Sequence, residues 1–113
     1  MISVATARRR RTLLPAAVAR RLPQARRDEH ARCHPDRVAE ARLWAPWGER
    51  AYYLCALDRA TDCAWGVVEN AHGVCWREVS LADLSAVVGP GEVGVEVDRR
   101  FVAATLRELG VAP

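Results

Sequence analysis

Between Ala39 and Val79 lie all four tryptophans of this 113-residue chain, both of its tyrosines and three of its four cysteines. Within that stretch, apolar runs alternate with turn signals. Leu43-Trp44-Ala45 gives way to Pro46-Trp47-Gly48-Glu49, and Ala51 to Leu57 gives way to Asp58-Arg59-Ala60-Thr61-Asp62. Ala64 to Val68 is followed by Asn70-Ala71-His72-Gly73, and then by Val74-Cys75-Trp76. Short aromatic and β-branched runs broken by such clusters predict hairpins, not helices. The reading is four strands: Val38–Ala45, Arg50–Leu57, Cys63–Glu69 and Val74–Val79. The first alternates Ala39, Ala41 and Leu43 with Glu40 and Arg42, so one of its faces is wet. The second is apolar on both faces, which marks it as central. Gly66 beside Trp65 suggests a large ring lying across bare backbone, and Trp65 and Trp76 are expected in the core.

Helical signals flank the strands. Pro15 suits a first helical turn, Leu14, Val18 and Leu22 recur on one face, and Pro23 ends the segment. Gln24 to Asp36 reads as a polar excursion over the surface. Ser80 is a natural cap for a short helix carrying Leu81, Leu84, Val87 and Val88, with Asp83 near its positive end. Gly89-Pro90-Gly91 breaks it. Val93, Val95 and Val97 form a brief extended piece. Asp98 is expected to cap a last helix, Arg99–Leu109, with Val102, Thr105, Leu106 and Leu109 as its apolar stripe and Gly110 as its stop. The expected fold is α+β: a four-stranded antiparallel meander with short helices packed on one face. Residues 1–12 form a flexible basic arm, and residues 13–113 form a single domain of sufficient size to bury a core.

Charge is distributed unevenly. Residues 1–37 hold 10 Arg against 3 carboxylates, a net +7, whereas residues 38–113 hold 7 Arg against 11 carboxylates, a net −4. A basic arm is thus joined to an acidic body. The four-arginine run followed by Leu13-Leu14 resembles a twin-arginine export signal only superficially, because Pro15 and Arg20-Arg21 interrupt the apolar part. It is also far too short to span a membrane. The expected location is the cytoplasm, with Cys33, Cys55, Cys63 and Cys75 reduced.

Three blocks, taken in order, resemble a family of small proteins of unknown function carried on bacterial plasmids and phages. They are the Leu13-Leu14…Leu22-Pro23 helix; the Trp44-x-Pro46-x-Gly48 hairpin running into Tyr52-Tyr53; and Ser80-Leu81-x-Asp83-Leu84, followed by Gly89-Pro90 and Glu96-x-Asp98-x-x-Phe101. The resemblance spans residues 13–101. It implies a cytosolic protein of a mobile element and supplies no activity, cofactor or catalytic residue.

No residue set carries the spacing of a known chemistry. His30, Cys33 and His34 would share a helix face and, with Cys63 or Cys75, complete a zinc site, but the Arg-rich surroundings and the missing second ligand pair argue for a solvated segment. His34-Pro35-Asp36 is the tripeptide by which J-domains engage their partner, yet the long flanking helices of a J-domain are absent. No metal, cofactor or catalytic residue is therefore expected. The candidates are binding residues. Arg8, Arg9, Arg10, Arg11, Arg20, Arg21, Arg26 and Arg27, with Trp44 and Trp47 at the hairpin, are candidates for holding nucleic acid or a protein partner. Glu49, Asp58, Asp62, Glu69, Asp83 and Glu92 are candidates for an acidic surface imitating nucleic acid. The expected function is a non-catalytic protein-binding module of a phage or plasmid. Its partner would be a host or element-encoded complex, and it would act by inhibiting a defence or nuclease complex such as CRISPR-Cas. The alternative is an accessory nucleic-acid binder using the arginine arm. No membrane partner is expected, and a homodimer is left open.

Overall fold

A computed structural model describes residues 13–113 except 88, 90, 92 and 93. The expected basic arm, and Glu92 of the acidic set, lie outside the described residues. The main sheet is antiparallel, in the order β5-β4-β3-β2-β6. Its strands are β2 (Ala41–Trp44), β3 (Ala51–Asp58), β4 (Cys63–Asn70), β5 (Gly73–Ser80) and β6 (Glu96–Val97). The meander of the expectation is present, but a fifth strand is added: Val97 pairs with Leu43 and Glu96 with Trp44. The expected first strand is split. Val38–Ala39 forms β1, which pairs with β7 (Ala104–Thr105) in a separate ribbon, and Glu40 separates it from β2.

β3 is buried along nearly its whole length because both faces of the sheet are covered, and a bulge at Cys55 shifts its alternation. Before it, Tyr52 and Leu54 face one way. After the extra residue, Leu57 faces that same way, although strict alternation would have turned it over. Ala51, Tyr53 and Cys55 face the opposite side. Gly66 sits across from Leu54 at this irregularity, and a Cβ there would overlap the carbonyl of Tyr53. The glycine is required by an approaching backbone, not by a ring as expected. The ring over bare backbone occurs elsewhere: a Cβ on Gly89 would overlap the indole of Trp47.

Helices cover both faces, not one. Helix α1 (Ala16–Arg21) and helix α2 (Leu81–Ala86) bring Leu22, Leu81 and Leu84 onto the face of Tyr52, Leu54 and Leu57. The hydroxyl of Ser80 accepts the Asp83 N–H at 3.2 Å, the expected cap. On the other face, helix α3 (Leu106–Leu109) and the residues around it pack Phe101, Leu106, Leu109 and Val111 against Tyr53, Cys55 and Val67.

The expected long C-terminal helix is thus a single turn. Thr105 accepts the Glu108 N–H, and the Glu108 carboxylate accepts the Thr105 N–H, both at 3.0 Å, so the helix starts at this capping box and not at Asp98. The Asp98 carboxylate instead accepts the Arg100 N–H, and Val102, expected in an apolar stripe, is 78% exposed. Gly110 ends the turn at φ 72°, as a left-handed cap should. Trp65 and Trp76 are only half-buried. They stack on each other at 6.3 Å between centroids on the face of Val67, outside the closed core.

A candidate binding groove at the hairpin tips

Consecutive hairpins of a meander alternate between the two ends of a sheet, so the β2–β3 and β4–β5 turns share an end. The Ala45 N–H donates to the Arg50 carbonyl at 3.1 Å and closes the first hairpin. The His72 N–H donates to the Asn70 side chain at 2.8 Å and shapes the other. Between these tips is a half-open groove of about 490 Å³. Trp47, Val87 and Val95 line it with Tyr52, and Glu49, Arg50 and His72 add polar groups. The Trp47 indole packs against the Gly89 backbone, so the groove has an aromatic wall. Trp44, 37% exposed, stands on the neighbouring strand.

The groove brings together Trp47 and Glu49 from the candidate residues, and adds Arg50 and His72, which sequence reasoning passed over. The remaining candidates go elsewhere. Arg20 and Arg21 end α1, and Arg26 and Arg27 follow the segment where Gln24 bridges Leu57, at the far end of β3 from the groove. Asp58 and Asp62 flank the β3–β4 turn at that same far end, and the Asp62 carbonyl accepts the N–H of Leu81, which keeps Asp83 nearby. Glu49 and Glu69 belong to the groove end, since Glu69 pairs with Ala51. The length of β3, about 25 Å at the usual rise per residue, separates the two groups. The five described acidic candidates are therefore divided between the two ends of β3.

Many charged groups are committed to structure. Arg59, beyond the end of β3, donates to the carbonyls of Ala19 and Leu22 at 2.8 Å each, a cation at the negative end of α1. Hydrogen bonds, first from the Ala60 N–H, hold the Asp58 carboxyl below its ordinary pKa. Arg42 donates to Asp98 at 3.1 Å and to the Tyr53 hydroxyl at 3.3 Å, and that hydroxyl donates to Glu69 at 3.3 Å. Burial opposes the Arg42 charge, but these bonds outweigh it and raise the guanidinium pKa. A second, smaller cleft of about 270 Å³ lies beside this node, between Val18 and Arg21 of α1 and Asp98, Arg99 and Phe101.

The zinc alternative loses its geometric premise, because only Glu29–Ala31 winds into a single 3-10 turn and no helix spans His30 to His34. Instead, His34 accepts the Asp36 N–H through Nδ1, and Arg107 holds the Asp36 carboxylate at 3.1 Å. Among the described residues, no group of three or more His, Cys, Asp or Glu side chains is placed to hold a metal ion.

A family model described as "Protein of unknown function (DUF2958)" matches residues 13–109. The chain belongs to this family. The DUF2958 match begins at the first buried leucine, Leu13, and ends at Leu109 of α3, so it takes in both covered faces of the sheet. No curated protein and no solved structure matches the chain. Among the described residues, no helix is long and apolar enough to cross a membrane.

Proposed function

We propose that this DUF2958 chain is a non-catalytic protein-binding module of a mobile element, phage or plasmid, that works in the cytoplasm and engages a host or element-encoded complex. The observation that supports it is the groove at the hairpin tips. It combines an indole, an apolar lining and a few polar groups of both signs, which is the composition of a pocket that receives a side chain of a partner protein. A defence or nuclease complex remains the partner class we favour. The contact we propose is the groove and not an acidic decoy, because the carboxylates are divided between the two ends of β3.

The nucleic-acid alternative is weaker for the same reason. Stacking platforms need several cations interleaved with them, yet the groove lining offers Trp47 a single arginine, Arg50, with Glu49 beside it, and Arg26 and Arg27 follow the segment at the far end of β3. The test is cross-linked purification of the tagged full chain from its host, compared with Trp47→Ala and Arg50→Glu. The expected result is a protein partner that the wild type retains and both variants lose, while their melting temperatures stay within a few degrees. Recovery of nuclease-sensitive material that survives both changes, and vanishes when residues 1–12 are removed, would replace this reading with the nucleic-acid one.

A further inference from the structure

The groove receives side chains; the outer edge of the main sheet offers backbone. Strand β5 is outermost in that sheet, and its eight residues pair with β4 without any irregularity, from Gly73 opposite Asn70 to Ser80 opposite Cys63. Only Ala71 and His72 separate the closing pair, so Asn70 and Gly73 bond to each other. Hydrogen bonding toward β4 then falls on Gly73, Cys75, Arg77 and Val79. The N–H and C=O groups of Val74, Trp76 and Glu78 consequently point away from the sheet. Among the described residues, no hydrogen bond from another element reaches them.

Natural edge strands are usually blunted by proline, lysine, a bulge or shortness. Residues 73–80 contain no proline and only two charges, Arg77 and Glu78, their ladder has no bulge, and eight residues is longer than the commonest strand. The two sides of this edge differ chemically. On one, Trp76 is half-buried beside Trp65 and opposite Val67, its indole N–H bonded to the Glu29 carbonyl and Arg37 over its ring, with Glu78 further along the same face. On the other, Arg77 is exposed opposite Gly66, where no side chain covers it, and among the described residues it has no ion-pair partner.

We propose that β5 is a docking edge for an extended segment of a partner protein. That segment joins the sheet as a further strand and alternates apolar residues, packed toward Trp76, with acidic residues, set beside Arg77. Charge complementarity selects this occupant over a second copy of the chain. Opposite residues of an antiparallel pair share a face, and Arg77 and Glu78 lie on opposite faces. No self-pairing that keeps the two covered faces aligned can therefore bring Glu78 of one copy to Arg77 of the other. The inference rests on the protein-binding reading above and adds a second point of attachment with its own chemistry.

The test measures fluorescence anisotropy of two labelled peptides against the full chain, one alternating valine with glutamate and the other valine with arginine. The expected result is binding of the glutamate peptide and not of the arginine peptide. Glu78→Pro removes an outward N–H while sparing the pairing with β4, and is expected to weaken binding by about tenfold or more, a change of about 1.4 kcal/mol. Its melting temperature should stay close to that of the wild type. Arg77→Glu is expected to reverse the preference between the peptides. Equal binding of both peptides, or of neither, would overturn the proposal, as would indifference to Glu78→Pro. A dimer in sedimentation that Glu78→Pro abolishes would overturn it in favour of a second copy. The two readings fail separately: a partner captured from the host that Trp47→Ala loses and Glu78→Pro retains ends the edge proposal alone.

Discussion

Glu29 is the side chain whose environment is least expected from its chemistry. It is 2% exposed and charged, yet it belongs to a polar excursion. Its carboxylate accepts the Arg26 N–H and the Arg37 guanidinium, each at 2.8 Å, while its carbonyl accepts the Trp76 indole N–H at 2.8 Å. Arg37 also lies over the Trp76 ring, 5.3 Å from its centroid. One carboxylate thereby pins residues 26–37 against β5. Arg37→Ala leaves a buried charge unpaired, and its expected cost is about 3 kcal/mol, the low end for a broken buried pair because Arg37 keeps some contact with water. Urea denaturation measures it, and a cost under about 1 kcal/mol, typical of a surface pair, would contradict this account. Cys55 offers a second check. Burial, the largest cause, pushes its thiol from an ordinary 9.0 to about 12, so the folded state disfavours its thiolate. The stabilisation is complete below pH 9 and declines between pH 9 and 12, by about 1.4 kcal/mol per pH unit, as the unfolded chain ionises first. At pH 8 a thiol reagent should label the exposed Cys33 and Cys75 and reach Cys55 only after unfolding.

At the scale of elements, the bulge in β3 turns Leu57 onto the face of Tyr52 and Leu54. Gly66→Ala drives a methyl group into the Tyr53 carbonyl, which cannot move without breaking the β3–β4 ladder, and is expected to cost about 3 kcal/mol, the upper range for overpacking. Gly48→Ala meets open space and should stabilise the protein by a few tenths of a kcal/mol through the unfolded chain alone. Thermal melts of the two variants should move in opposite directions. The three long strands and the first two helices were legible because their signals are local: ring-rich runs between turn residues, Pro15 ahead of α1, the Ser80 hydroxyl ahead of α2. The bulge was not legible, since an extra residue leaves no mark in a run as uniformly apolar as Ala51–Leu57. The C-terminal helix was misplaced because Asp98 and Thr105 are both competent caps. Only Thr105 is followed three residues later by a glutamate able to reciprocate. The edge pairing of Val97 depends on contacts with Leu43, far away in sequence, which no local pattern encodes.

For the molecule as a whole, half of the groove was readable: that hairpins alternate ends already places Glu49 with His72 and apart from Asp58 and Asp62. What composition concealed is that net charge by segment says little about surface. Three ion pairs tie the chain to itself: Glu29 to Arg37 eight residues on, and Arg42 to Asp98 and Asp36 to Arg107 across long separations. The last of these works with the backbone. The Pro35 and Arg37 carbonyls accept the N–H groups of Arg107 and Leu106 at 2.8 and 2.9 Å, and β1 pairs with β7. The C-terminal block is thus a lid on the second face of the sheet, locked by the excursion that precedes the meander. A chain ending after Arg100 would uncover Tyr53, Cys55 and Val67 and leave β1 without its partner strand, while the face covered by α1 and α2 would stay intact. Such a truncation should keep β-rich far-ultraviolet circular dichroism, bind a hydrophobic dye and lose its cooperative melt, the signature of collapse without fixed packing. Thr105→Ala in the full chain should cost only about 1 kcal/mol, the worth of a cap. A truncated chain that still melted cooperatively near the wild-type temperature would show that the second face needs no lid, and the block would then be free to act in binding.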